Sequence, residues 1–252
     1  MLKYTIAFVV ALSLSLVACK EDKIPQSFSL LTGEEIAYIS TQEVKACYPR
    51  GSKPIMWLDR NNAAGISVET LRVVANKVNL KVKFIDKDHQ THVIEDFKLG
   101  KCDIVTGVKE TPERAELMNF SQPYLFVGGT MLVRQLPIKF PMRVGFGRKF
   151  GIESTMRQFG SQLKIVDFLT DRESFTALLA DEVSAIVLDS LTAEQLEKEN
   201  NIKFARAGVN FYYDISFGFQ KNNSLLGELL DKGLANLTNE EKLLIYKTEI
   251  NR

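Results

Sequence analysis

The sequence predicts an α/β fold made of two similar units, each a mostly parallel sheet flanked by helices. Three observations carry this. Between Glu43 and Gly107 the chain alternates apolar extended runs with helical periodicity, in the order strand, helix, strand, helix, strand. That order puts parallel strands in one sheet joined by right-handed crossovers. After Arg134 the same alternation begins again. Finally, 252 residues at 45% hydrophobic and 25% charged have an ordinary globular composition and suffice for two small lobes, which argues against a disordered chain or a polytopic membrane protein.

Residues 31–39 form a short helix, with Thr32 placed to cap it and Glu34 and Glu35 in a first turn that favours acids. Residues 43–47 are a strand, broken by Tyr48-Pro49-Arg50-Gly51. A second extended run, 55–58, is followed by a turn at 59–62. The clearest helix spans 67–80, where Val68, Leu71, Val74, Ala75 and Val78 line one face and Ser67 is the expected N-cap. Residues 81–85 alternate, with Val82 and Phe84 on one side. A helix around 92–99 ends at Gly100, and the strand Ile104-Val105 ends at Thr106-Gly107. Thr111 then caps a helix start with Pro112 in its first position. A turn at Ser121-Gln122-Pro123 leads to an extended run at 131–134. Beyond a linker bracketed by Pro137 and Pro141, the pattern predicts a strand at 143–146, a helix at 151–159, a strand at 165–168, a helix at 173–179 and a buried strand at 184–188 ending in Asp189. A strand at 215–219 carries the chain back, and helices at 225–237 and 240–250 close it.

The stretch 102–134 reads CDIVTGVKETPERAELMNFSQPYLFVGGTMLVR. Asp103, Thr111-Pro112-Glu113-Arg114 and Phe120-Ser121-Gln122-Pro123-Tyr124 resemble, in order and spacing, the central block of the bacterial extracellular solute-binding proteins of family 3, which bind polar amino acids. The resemblance covers about 31–250. It implies a type II periplasmic-binding-protein (Venus flytrap) fold, with lobe 1 at 28–127 plus 221–252, lobe 2 at 128–220, and two crossing segments as a hinge. The opening Leu31-Thr32 with Glu34-Glu35, and the Gly65-Ile66-Ser67 entry, are also similar to Venus-flytrap sensor domains of hybrid histidine kinases.

The resemblance also implies ligand-binding residues. Arg114 would grip a ligand carboxylate, since a guanidinium fork matches a carboxylate bidentately; its alternative is a structural ion pair with Glu113, Glu116 or another acid. Asp189 would take an ammonium group, or else cap the next helix. Thr106 and Gly107 fall where the family offers hydroxyl and backbone groups, although Gly107 also suits a simple tight turn. Lys109 departs from the family's Ser or Thr and either meets a second anionic group or points to solvent. The family's lobe 2 glycine followed by Ser or Thr becomes Gly151-Ile152, preceded by Arg148-Lys149-Phe150. The stacking aromatic is replaced by Ser52, leaving nearby Trp57 and Tyr48 as candidates for the ligand or for core and rim.

At the start, Lys3, an apolar core at 6–16 and Leu16-Val17-Ala18-Cys19 read as a lipoprotein signal peptide over 1–18, with lipidation of Cys19 and a polar tether over 19–27; a plain signal peptide is the alternative. Without residues 1–18, which hold one Lys, 31 basic residues face 31 acidic ones, so charge gives no reason to expect nucleic acid. Cys47 and Cys102 then remain. A pair in an exported protein suggests a disulfide, but the end of one parallel strand and the start of its neighbour lie beyond the ~7 Å Cα limit for bridging, so two buried thiols are expected. His89 and His92, the only histidines, lack further ligands for zinc. No G-x-S-x-G, P-loop or dinucleotide motif occurs. The expectation is therefore an extracytoplasmic, monomeric, cofactor-free binding protein for a small carboxylate, serving an ABC permease or a membrane sensor. A prephenate-type dehydratase on the same fold is the enzyme alternative, with Glu153 its only nominable acid.

Overall fold

The computed structural model describes residues 31–147 and 160–252. The expected leader, Cys19, the tether, the 151–159 helix, Gly151-Ile152 and Glu153 lie outside them.

The first lobe is built on β1 (Glu43–Pro49), flanked in parallel by β5 (Lys81–Lys87) and β6 (Ile104–Val108). Its crossovers are α2 (Ile66–Lys77) and α3 (Gln90–Lys98), as the strand-helix alternation requires. A small antiparallel sheet of β2 (Gly51–Ser52), β3 (Met56–Asp59) and β4 (Asn62–Ala64) projects from the β1–α2 connection. Its β3–β4 turn has Arg60 and Asn61 at φ 47 and 70°, the left-handed pair of a two-residue hairpin. Opening helix α1 (Gly33–Thr41) has a capping box: Glu35 N–H donates to Thr32 Oγ1, and Thr32 N–H donates to Glu35 Oε2. The same buried Glu35 oxygen accepts from Lys232 Nζ at 2.6 Å, tying the start of the fold to α7 (Ser224–Ala235) near its end. Leu71, Val74 and Val78 interlock with Leu226, Leu229 and Leu230 over this sheet. The last helix, α8 (Asn239–Asn251), adds a second capping box at Thr238 and Glu241.

Ser67 does not cap α2 as expected. The N-cap is Gly65, two residues earlier, at φ 113°, and a Cβ there would press into the Ile55 backbone. Gly65 N–H donates instead to the buried Glu249 carboxylate of α8 at 2.8 Å, and Ser67 is enclosed within the first turn. A cap supplied by another element leaves no local sequence signal.

In the second lobe, β9 (Met142–Gly147) lies parallel between β10 (Leu163–Phe168) and β11 (Ala185–Asp189). Helices α5 (Asp171–Leu179) and α6 (Ser190–Glu199) pack Phe175, Leu178, Ala193 and Leu196 against Leu132, Ile186 and Leu188. The short turn α4 (Pro112–Ala115) and strand β7 (Met118–Phe120) belong to the first lobe.

Strands β8 (Leu125–Val133) and β12 (Ala205–Gln220) are much longer than the expected 131–134 and 215–219. They pair antiparallel with each other up to Leu125↔Ile215, and from Ser216 onward β12 joins β6 and β7. The change of sheet thus falls a few residues before the 220/221 boundary suggested by the sequence. Gly128-Gly129 and the polar residues of β12 hide this bridge from pattern reading.

The two cysteines form a disulfide, with a Cα–Cα distance of 5.8 Å, correcting the expectation of free thiols. Cys47 lies within β1, in register with Val105, whereas Cys102 sits in a bend before β6 rather than on the ladder. Asp103 holds that bend over β1: its N–H donates to Lys45 O at 2.8 Å and its carboxylate accepts Lys45 N–H at 2.7 Å. Parallel-strand spacing therefore does not apply. The bond closes a loop with a sequence separation of 55, and loop-closure entropy predicts that Cys47→Ala with Cys102→Ala costs about 4 kcal/mol of stability. Denaturant unfolding of wild type and variant measures this; an unchanged midpoint would refute it.

Candidate functional site

The carboxyl ends of β1 and β6 in one lobe face those of β9 and β11 in the other, which is where open α/β sheets place ligands. They enclose a cavity of about 110 Å³, suited to a small solute rather than a drug-sized one.

Each wall is positioned by local structure. On the first-lobe side, the penultimate residue of β6 is Gly107, whose φ of 67° favours glycine; a Cβ there would also crowd the Met56 sulfur and the Ser67 hydroxyl. The turn that follows carries Lys109 into the lining and leads to Thr111, whose Oγ1 accepts the Arg114 N–H at 3.3 Å. Arg114 is half-buried, and its Nη1 donates to Lys109 O at 2.8 Å. The turn that delivers the guanidinium is therefore braced by it.

On the second-lobe side, Asp189 ends β11 and lines the cavity while capping α6, its Oδ1 accepting from Thr192 N–H at 2.6 Å. The cap considered from the sequence is present, and the same acid lines the cavity wall. Burial pushes its carboxyl pKa up, against the hydrogen bonds from the α6 N-terminus.

Lys109, Gly107, Arg114 and Asp189 thus converge on one cavity. Two expected residues do not. Thr106 alternates to the other face of β6, fully buried, with no hydrogen-bond partner for its Oγ1 among the described residues. Trp57 lies off the lining; Lys53 Nζ stands 4.5 Å from its ring centre and the Arg252 guanidinium 5.7 Å away. Its neighbours Ser52, Ile55 and Met56 line the cavity instead, because the hairpin turns Met56 inward and Trp57 out.

Sequence reasoning missed Asp171 and Tyr213. Asp171 opens α5 right after β10, and the rule applied to Asp189, an acid between a strand end and a helix, would have found it. Burial and the Asp189 charge push its carboxyl pKa up to about 7. Tyr213 lies on the sheet-switching part of β12, with Lys109 Nζ 5.2 Å from its ring centre. Its phenol is pushed well above its ordinary value by burial, then by Asp189 and Asp171, and Arg114 works the other way. His89, its ring tilted by 33° against that of His92 at 3.8 Å between ring centres, also reaches the lining; no group of three or more metal-ligating side chains occurs among the described residues.

Known proteins share this architecture. The Venus-flytrap VFT2 domain of BvgS from Bordetella pertussis superposes with a TM-score of 0.77 at 18% identity, over 86% of this chain and 97% of that one. An ancestral arginine-binding protein bound to arginine gives 0.74 at 24% identity, over 82% and 97%. "Probable amino-acid-binding protein YxeM" of Bacillus subtilis (strain 168) is 27% identical over 85 residues, 33% of this chain, and the match spans about a third of that protein's length. The structural likenesses establish the type II periplasmic-binding-protein fold. A family model matches residues 44–248, and with the T-P-E-R turn holding Arg114 in the interlobe cavity, the chain belongs to the bacterial extracellular solute-binding proteins, family 3.

Proposed function

We propose that this protein is an exported solute-binding lipoprotein that closes on a small amino acid or related carboxylate and passes it to an ABC-type importer. The observation that carries the reading is charge opposition across one small cavity, Arg114 on the first lobe and Asp189 on the second. A zwitterion complements both ends, its carboxylate taking the guanidinium fork and its ammonium the buried acid. The solute then bridges the lobes, so binding favours the closed state by hinge motion along β8 and β12. The amino-acid-binding names of the relatives support the same class of ligand. Anchoring through Cys19 and extracytoplasmic residence complete the proposal.

A second reading, a receptor reporting its ligand to a membrane signalling partner, is favoured by the likeness to the BvgS domain and by the capping box at Thr32 and Glu35, which lies in the sensor-like opening. Neighbouring genes separate the two: a permease and ATPase support uptake, a kinase or cyclase supports signalling.

Calorimetry with a panel of amino acids and organic acids tests the binding reading. Arg114→Ala removes one partner of a desolvated charge pair and is expected to cost about 2–5 kcal/mol, roughly 30-fold or more in affinity. Asp189→Asn keeps a good helix N-cap and removes only the charge, so it weakens amino acids much more than plain carboxylates. No binding across the panel, or wild-type affinity in Arg114→Ala, would refute the reading. For the anchor, Cys19→Ala is expected to move the protein from the membrane to the soluble fraction, and fractionation that finds it still membrane-bound refutes lipidation at this residue.

A further inference from the structure

Besides Arg114 and Asp189, the cleft is lined by the charged residues Lys109, Asp88 and Asp171, and Asp171 shares a wall with Asp189. Asp171 is the first residue of α5, yet α5 does not use its carboxylate as a cap. Thr170 Oγ1 accepts from Glu173 N–H at 3.1 Å, and Glu173 Oε2 accepts from Leu169 N–H at 2.9 Å, so neighbouring residues satisfy the helix start. The Asp171 carboxylate stands over Gly147, the last residue of β9, where a Cβ would collide with it. Strands β9 and β11 are parallel neighbours with Val187 beside Phe146, which sets Leu188 beside Gly147 and Asp189 one residue further. Two acids therefore share one wall of the cavity, at the carboxyl ends of neighbouring parallel strands.

The elements that carry them place these groups around the cavity. Tyr213 senses Asp189 first, then Asp171, and also Arg114. Asp171 feels the Asp189 charge. Helix α5 also touches β2 of the opposite lobe, on the Ser52 side of the cavity. All of these line one cavity, Arg114 and Lys109 from the turn after β6, Asp189 and Asp171 from the starts of α6 and α5, Tyr213 from β12 and Ser52 from β2.

Resting on the amino-acid-binding reading above, we propose that Asp171 is a specificity-determining residue that seats a second basic group of the solute, so that the cleft selects diamino or guanidino carboxylates over amino acids with neutral side chains. The solute's carboxylate meets Arg114, its first ammonium meets Asp189, and its further cationic group reaches Asp171 beside Ser52. Placing a cation there also relieves the repulsion between the two acids, which an amino acid with a neutral side chain does less well. The groups facing Asp171 within the described cavity are Asp189 on β11, Tyr213 on β12, Lys109 and Arg114 beyond β6, and Asp88 and His89 at the start of α3.

The test is calorimetry on the mature chain with lysine, arginine and 2,4-diaminobutyrate against alanine, 2-aminobutyrate and glutarate. Wild type is expected to bind the basic solutes at least tenfold more tightly than the neutral amino acids. Asp171→Asn is expected to lose that preference, its affinities for the basic and the neutral amino acids falling within about threefold of each other. Since Asp171 with its pKa near 7 must be ionised to hold a cation, wild-type affinity for the basic solutes rises from pH 5.5 to 8, and this rise flattens in Asp171→Asn. A merely structural Asp171 would lower the thermal midpoint of the variant and leave both the preference and the pH profile intact, overturning the proposal. Equal wild-type affinity for basic and neutral amino acids would overturn it even if the variant failed to fold, and in that case the amino-acid-binding reading survives. Absence of binding by every amino acid refutes that reading and the role of Asp171 together.

Discussion

The antiparallel pairing of β8 with β12 is the constraint on which the rest of the molecule depends. These strands carry the chain between the lobes, and β12 exchanges partners from β8 to β6 and β7 within a few residues. Each lobe can then keep its own hydrophobic core, with α2 and α7 over one sheet and α5 and α6 over the other. The carboxyl ends of both parallel sheets are left facing each other across a narrow gap. A rearrangement that slid β12 by one residue would turn every alternate side chain to the other face, and Tyr213 would leave the cavity.

The cleft is a place where burial and charge oppose each other. A carboxylate withdrawn from water loses hydration that only a partner can replace. Asp189 recovers part of this from the N-terminus of α6, and Asp171 starts a helix whose dipole also favours a negative charge. Both acids nonetheless titrate above their ordinary values. Such upward shifts are characteristic of sites whose geometry serves something other than the stability of the empty protein.

Much of this was legible in the sequence, for identifiable reasons. The parallel first-lobe sheet followed from strand-helix alternation, and the Arg114 turn from Thr111 and Pro112, because those signals are local. Gly65 as the N-cap of α2 was not legible, since its hydrogen-bond partner Glu249 lies in the last helix. The disulfide was misjudged because Cys102 leaves the strand direction in a bend fixed by Asp103 and Lys45. Trp57 and Thr106 failed as lining residues for one shared reason: alternation on a strand decides which neighbour faces the cavity, and the register was unknown. Asp171 was within reach, had the strand-end rule been applied to every acid rather than only to Asp189.

The disulfide has a mechanical consequence for the first lobe. The ring that it closes, from Cys47 to Cys102, contains the small sheet, α2, β5 and the whole of α3, and with them Ser52, Met56 and His89 of the cavity wall. The turn bearing Lys109 and Arg114 emerges directly from the strand that follows the ring. One jaw of the trap is thereby a covalently cinched body, and the give needed for opening is left to the two strands that cross between the jaws.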